Sequence, residues 1–276
     1  MALPLPFVVF TYRRGLKAGT ILLFVSSILG FILGGGLLAL IPAFMFGTAG
    51  MVLGEIHRRG LSGFAGLLGT SLAYIVHILL IFVGMTMLVG QNPMQLAADL
   101  TREQMDFVER TLGGMGEGNT ELINESLDAL LYLAPVVIVG SALMLAIVTV
   151  LLSYVVLKRL GHDVNKLPPF RKWAFPKSFL WYYLVVLIVA LIGVEEGTTL
   201  FTIVQNLIML LGFVLTIQGF AFIFYYCHYK KVPIALPIII VVASFILLPF
   251  MEIIRIIGII DLGFELRKRI GQDNRS

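Results

Sequence analysis

The run Tyr132–Leu157 contains no charged residue, and it ends on Lys158–Lys177, KRLGHDVNKLPPFRKWAFPK, which carries six basic residues and one acid, Asp163. A second uncharged run, Phe179–Val194, follows at once. An apolar stretch of such length crosses a bilayer as a helix, and lysine and arginine beside span ends resist translocation. The juxtaposition restricts the chain to one class, helices traversing a membrane with the basic island on the cytoplasmic side. Pro168, Pro169 and Pro176 deny the island a continuing helix, and Pro176 suits the first turn of the next one. Trp173 then falls at the headgroup level, where an amphipathic ring is accommodated. Composition agrees. The chain is 59% hydrophobic and only 13% charged, with mean hydropathy +0.98, roughly half the charged fraction of a soluble domain.

Counting outward from the island predicts spans over 18–33, 37–55, 61–89, 132–157, 179–194, 199–226, 233–250 and 251–266. Met1–Phe10 is too short to cross. Basic residues cluster at Arg13–Lys17, Arg58–Arg59, Lys158–Lys177, Lys230–Lys231 and Arg267–Arg269, all at predicted inner ends. The segment 99–128 instead carries eight acids against two arginines, and Glu195-Glu196 marks a second acidic turn; both fall outside. Asn92-Pro93 reads as an N-cap followed by the first helical position, and Thr101-x-x-Gln104 as a capping box. Gly113, Gly114, Gly116 and Gly118 then break the chain, and Asn119-Thr120 can start a second helix. The expected fold is all-α: a polytopic transmembrane bundle of seven or eight spans forming a single membrane domain. A small acidic extracytoplasmic helical hairpin occupies 92–128, a basic cytoplasmic loop occupies 158–177, and the C-terminus lies in the cytoplasm.

Two kinds of residue stand out on the spans. Ala43, Gly47, Gly50 and Gly54 share one helical face, as do Gly63 and Gly66, and small residues in lipid let a neighbouring helix approach closely. Tyr74 and His77 lie near mid-span, and Gln205 and Asn206 about two turns deep, where polar side chains are costly and mark functional positions. Gln205, Gly212, Thr216 and Gly219 share a face, with Gln218 nearly opposite. Glu252 and Arg255 stand three apart and can pair. Asp261 is on the other side of that helix, and Glu265 with Arg269 has i, i+4 spacing.

Several classes of chemistry are excluded. A lone cysteine, Cys227, and four histidines give no internal disulfide, no metal set and no nucleophile–base pair at a recognisable spacing. Gly-x-Ser-x-Gly, His-Glu-x-x-His and a phosphate loop are absent. No enzyme activity, metal or cofactor is therefore expected, and no basic recognition face for nucleic acid. The partner established at this level is the lipid bilayer.

The motifs Tyr12-Arg13-Arg14-Gly15-Leu16-Lys17-Ala18-Gly19 and Gly54-Glu55-Ile56-His57-Arg58-Arg59-Gly60 resemble the YybS-like family of bacterial integral membrane proteins. The resemblance continues through Pro168-Pro169-Phe170-x-x-Trp173-x-x-Pro176, Gln218-Gly219, Gly258-x-x-Asp261 and Arg267-Lys268-Arg269, and so spans nearly the whole chain. It implies a bacterial cytoplasmic (inner) membrane protein and supplies no catalytic residue. It also implies a further helix ahead of the first basic turn, here reduced to Met1–Phe10, as a late start site or a truncation would leave it. The first hundred residues are more weakly similar to the membrane-embedded substrate-binding subunits of energy-coupling-factor transporters. There, short glycine-rich hairpins precede a polar cavity, and the first helix contacts the coupling protein.

Two functional readings remain. In one, a small ligand binds among Tyr74, His77, Gln205 and Asn206 with Glu252–Arg255 closing the site, as in a transport subunit served by a coupling ATPase. In the other, the chain is a membrane scaffold or regulatory subunit whose glycine stripes and basic loops bind other membrane subunits.

Overall fold

The computed structural model describes residues 3–112, 127, 129 and 131–272, and among these every regular element is helical. Two compact units divide at Leu167/Pro168, inside the basic loop.

The first unit contains α1 (Leu5–Arg14), α2 (Leu16–Gly30), α3 (Leu40–Arg58), α4 (Gly63–Gly84), α5 (Pro93–Leu112) and α6 (Ala134–Arg159). The short apolar piece at the chain start is a helix in its own right, and α3 supplies its seat. A Cβ placed on Gly50 would lie 2.5 Å from the Pro4 carbonyl oxygen, and one on Gly54 2.6 Å from that of Val8. Gly47 faces Leu23 and Phe7, while Ala43 is half-buried farther along the same helix. Lipid supplies no hydrophobic drive to bring helices together, so contact of this closeness, with its dispersion energy, must hold them. Val8, Leu53, Val150, Leu157 and Val164 form the buried core. Gly66 opposes Leu53, and Gly63 opposes the backbone of Lys166 and Leu167. Asn165 reinforces that crossing, donating from Nδ2 to the Gly60 and Leu61 carbonyls at 2.8 and 3.2 Å.

The second unit contains α7 (Ser178–Ile192), α8 (Thr199–Tyr229), α9 (Ala235–Ile246), α10 (Leu248–Phe264) and α11 (Leu266–Gln272). Its core is Leu180, Tyr183, Leu211, Leu215 and Leu262. The closest helix pair is α8 with α10. A methyl group on Gly219 would overlap the Ile254 carbonyl, and one on Gly258 the Leu215 carbonyl. Backbone therefore meets backbone along this seam.

Five described segments are long and apolar enough to span: Leu16–Gly34, Gly36–Arg58, Gly63–Val89, Ala134–Arg159 and Thr199–Tyr229. Ser178–Ile192 and Ala235–Ile246 are apolar but shorter, with 15 and 12 residues, or about 22 and 18 Å of helix against a hydrocarbon core of about 30 Å. The run 233–266 is broken at Leu247, whose φ of −109° and ψ of 90° are extended, and Pro249 opens α10. Asn92 does cap α5, its Oδ1 accepting from Met94 N at 2.9 Å. The Thr101 capping box, however, is no helix start. α5 runs through it, and Thr101 Oγ1 donates to the Ala97 carbonyl. The glycine break and the second half of the acidic hairpin lie outside the described residues.

Candidate functional site

Each unit keeps its polar chemistry in small buried groups. Within the first, Tyr74 is fully buried and its hydroxyl lies 2.9 Å from Thr149 Oγ1. Thr149 spends its own proton on the Leu145 carbonyl, so Tyr74 is the donor. Phe46 meets the tyrosine ring edge-on at 6.0 Å. One turn away, Thr70 is fully buried and its Oγ1 has no hydrogen-bond partner. His77 is half-buried, with Nδ1 2.8 Å from the Ala73 carbonyl and Nε2 3.4 Å from Thr48 Oγ1. The first of these distances assigns the ring proton to Nδ1. Replacing Tyr74 by Phe is expected to lower stability by about 0.6 kcal/mol, the average for hydrogen bonds between membrane helices; a melting curve in detergent reads it.

At the basic end of α3, Glu55 is buried and holds two arginines, Arg58 Nε at 2.8 Å and Arg59 Nε at 2.7 Å. His57 is buried beside it, with Nε2 3.4 Å from Ser153 Oγ. Arg13 reaches from the first basic turn to donate to His162 Nε2 at 3.1 Å. Glu55 and His57, two apart on α3, thus serve separate partners.

Within the second unit, Asn206 is buried and donates to the Thr202 carbonyl at 2.7 Å, and Gln205 is half-buried. Arg255 Nη1 and Glu252 Oε2 are 2.8 Å apart. The Glu252 side chain is 62% exposed, so this pair is a surface contact by its acid and a packed one by its base. The guanidinium lies against Gly212, whose missing side chain makes room for it, and Arg255 Nε is buried without a hydrogen-bond partner. Tyr74 and His77 thus belong to one unit and the other four predicted ligand residues to the second.

The densest polar cluster is one that spacing did not single out. Asp261 is 3% exposed and Gln218 1%. Gln218 Nε2 donates to Asp261 Oδ2 at 2.5 Å, and Arg267 Nε donates to the same oxygen at 2.9 Å. Both donors also grip the loop. Gln218 Oε1 accepts from Phe175 N at 3.0 Å, and Arg267 Nη1 donates to the Trp173 and Arg171 carbonyls at 2.7 and 3.2 Å. Arg267 also lies 5.5 Å from the Tyr225 ring centroid. Inside the loop, Trp173 Nε1 donates to the Pro168 carbonyl, and Phe170 packs on Trp173 and Phe224. A carboxylate this buried is stable only when paired and hydrogen-bonded, and Arg267 supplies that pairing while fastening the loop.

Glu265 differs from its expected pairing. It ends α10 with a left-handed φ of 50°, and its carboxylate meets Lys177 at 2.7 Å and Lys268 at 3.0 Å. Arg269 N still donates to the Glu265 carbonyl at 3.3 Å, so the i, i+4 spacing holds in the backbone while the carboxylate turns to the two lysines.

Against known proteins, residues 1–262 match the family described as predicted membrane protein (DUF2232). The chain belongs to that family. It is 35% identical over 274 residues to the uncharacterized protein YybS of Bacillus subtilis (strain 168), covering 98% of this chain and 88% of the relative. No solved structure matches. The family match takes in Gln218 and Asp261 and stops before Arg267.

Proposed function

We propose that this DUF2232 protein is a membrane scaffold or regulatory subunit of the bacterial inner membrane. Its basic segment Pro169–Lys177 docks an acidic surface of a partner protein on the cytoplasmic side. The observation that carries this reading is the clamp, in which buried Gln218 and Asp261 with half-buried Arg267 hold three backbone groups of one loop. A loop fixed before binding loses little further freedom on association, which is the main entropic cost of recruiting a mobile segment. Lys172 is left exposed on it, and lysines on a fixed frame steer an acidic partner and set its register. Native mass spectrometry of the chain gently extracted from its own membrane is expected to show a bound protein. That mass should be lost with Arg171→Glu/Lys172→Glu at unchanged melting temperature. A spectrum without partner protein, or one indifferent to the charge reversal, refutes the docking role.

Two orphaned polar atoms support a second reading, a small-ligand-binding or transport subunit acting through Tyr74, His77, Gln205, Asn206, Glu252 and Arg255. Arg255 Nε and Thr70 Oγ1 are buried without partners, and unpartnered polar atoms at membrane depth are costly unless something bonds to them. A stoichiometric small-molecule mass lost on His77→Ala or Gln205→Ala, in the same spectrum, selects this reading instead.

A further inference from the structure

Where α8 ends, α8, α9 and α10 enclose a groove of about 600 Å³. Its walls come from residues such as Phe222, Leu236, Ile253 and Ile257, and its single charged residue is Lys230. Phe250 and Ile253 on α10 are 45% and 52% exposed, so one side of α10 carries an apolar stripe without a covering helix in its unit. The lysine stands at the rim, its Nζ 5.9 Å from the ring centroids of both Tyr226 and Tyr229. Val232 N donates to the Cys227 carbonyl and Lys231 N to that of His228, which fixes the turn carrying Lys230 and Lys231. Among the described residues no carboxylate pairs with either lysine. A smaller cavity of about 230 Å³ shares Cys227 and Val232 with the groove and adds Arg171 and His228 to its lining. The groove is thus apolar along its length and cationic at one end.

The geometry points to an anionic phospholipid as the occupant, one acyl chain lying in the α8–α9–α10 groove and the phosphodiester meeting the Lys230 ammonium at its rim. A lysine can cover apolar wall with its methylene stem while its ammonium stays at the headgroup level. Basic pockets between membrane helices select anionic headgroups. Charge complementarity separates this occupant from a neutral lipid, and the apolar walls separate it from a free anion. The site is independent of the docking role proposed for the loop.

The full chain, purified in mild detergent, would be offered an equal mixture of dioleoyl phosphatidylglycerol and dioleoyl phosphatidylcholine and read by native mass spectrometry. One phosphatidylglycerol per chain is expected, retained about fivefold over phosphatidylcholine, the factor one lysine contributes at an anionic surface. Lys230→Gln should abolish that preference, and Lys166→Gln, which removes the same charge elsewhere, should leave it intact. Ile257→Trp, which fills the groove, should lower retention of both lipids. Equal retention of the two lipids by the wild-type chain would overturn the assignment, as would a Lys230→Gln spectrum matching wild type. A lipid-free dimer lost on Ile257→Trp would assign the groove to a second copy instead.

Discussion

Asp261→Ala is expected to destabilise the protein by about 3–5 kcal/mol, the range for removing one partner of a buried ion pair. The substitution strands Arg267, whose side chain is only 16% exposed, and takes from Gln218 the acceptor of its amide. Because both residues hold the loop, the effect should be local as well as global. Trypsin should cut after Arg171 and Lys172 far faster in the variant, before the rest of the chain opens. Asp261→Leu combined with Arg267→Met should recover part of the lost melting temperature, since apolar replacement of a whole buried pair is often neutral. Loop cleavage should stay fast in that double variant, which lacks the guanidinium that holds Arg171 and Trp173. Unchanged melting and unchanged cleavage in Asp261→Ala would show that the clamp contributes nothing.

Gly219→Leu should be nearly as damaging, by about 3 kcal/mol, the upper end for overpacking a tight interface. Flexible side chains give way to an added group, but here the obstacle is the Ile254 carbonyl, which moves only with α10 itself. Gly258→Leu should act on the same seam from the other side, so the double variant should lose less than the two singles added. Melting curves in detergent for the three proteins test this. Additive losses would mean that Gly219 and Gly258 do not share one contact.

The two glycine contacts, α1 with α3 and α8 with α10, differ in how far they could be read from the chain. Gly47, Gly50 and Gly54 recur at helical spacing, so their common face is legible, and α1 lies against it. Gly219 and Gly258 are 39 positions apart in the chain (258 minus 219), and nothing in the spacing of either says which helix it will meet. The same limit hid the clamp. Asp261 could be placed opposite Glu252, Gln218 opposite Gln205, and Arg267 in a basic cluster, each from its own helix. Their meeting depends on how α8 and α10 pack and on where α11 turns, which helical periodicity does not encode. One signal was available: Gln218, Asp261 and Arg267 all fall toward the predicted inner ends of their segments, the side on which the basic loop is expected. Glu265 shows a related limit. Its carboxylate meets Lys177 and Lys268 instead of Arg269, a choice set partly by a residue from another segment, which spacing along one helix does not encode. Membrane class was legible because bilayer thickness sets a length that uncharged runs either meet or miss.

The backbone-to-backbone seam between α8 and α10 has a mechanical consequence. Most helix interfaces are cushioned by side chains that change rotamer and stay in touch when the helices shift. Glycine freezes no rotamer on closing the seam, but it also offers nothing that can stretch across a gap. A separation of even 0.5–1 Å forfeits about a quarter to a half of the dispersion energy. The joint is therefore stiff and brittle, and the two helices move as one lever whose end, through Gln218 and Asp261, is the basic loop.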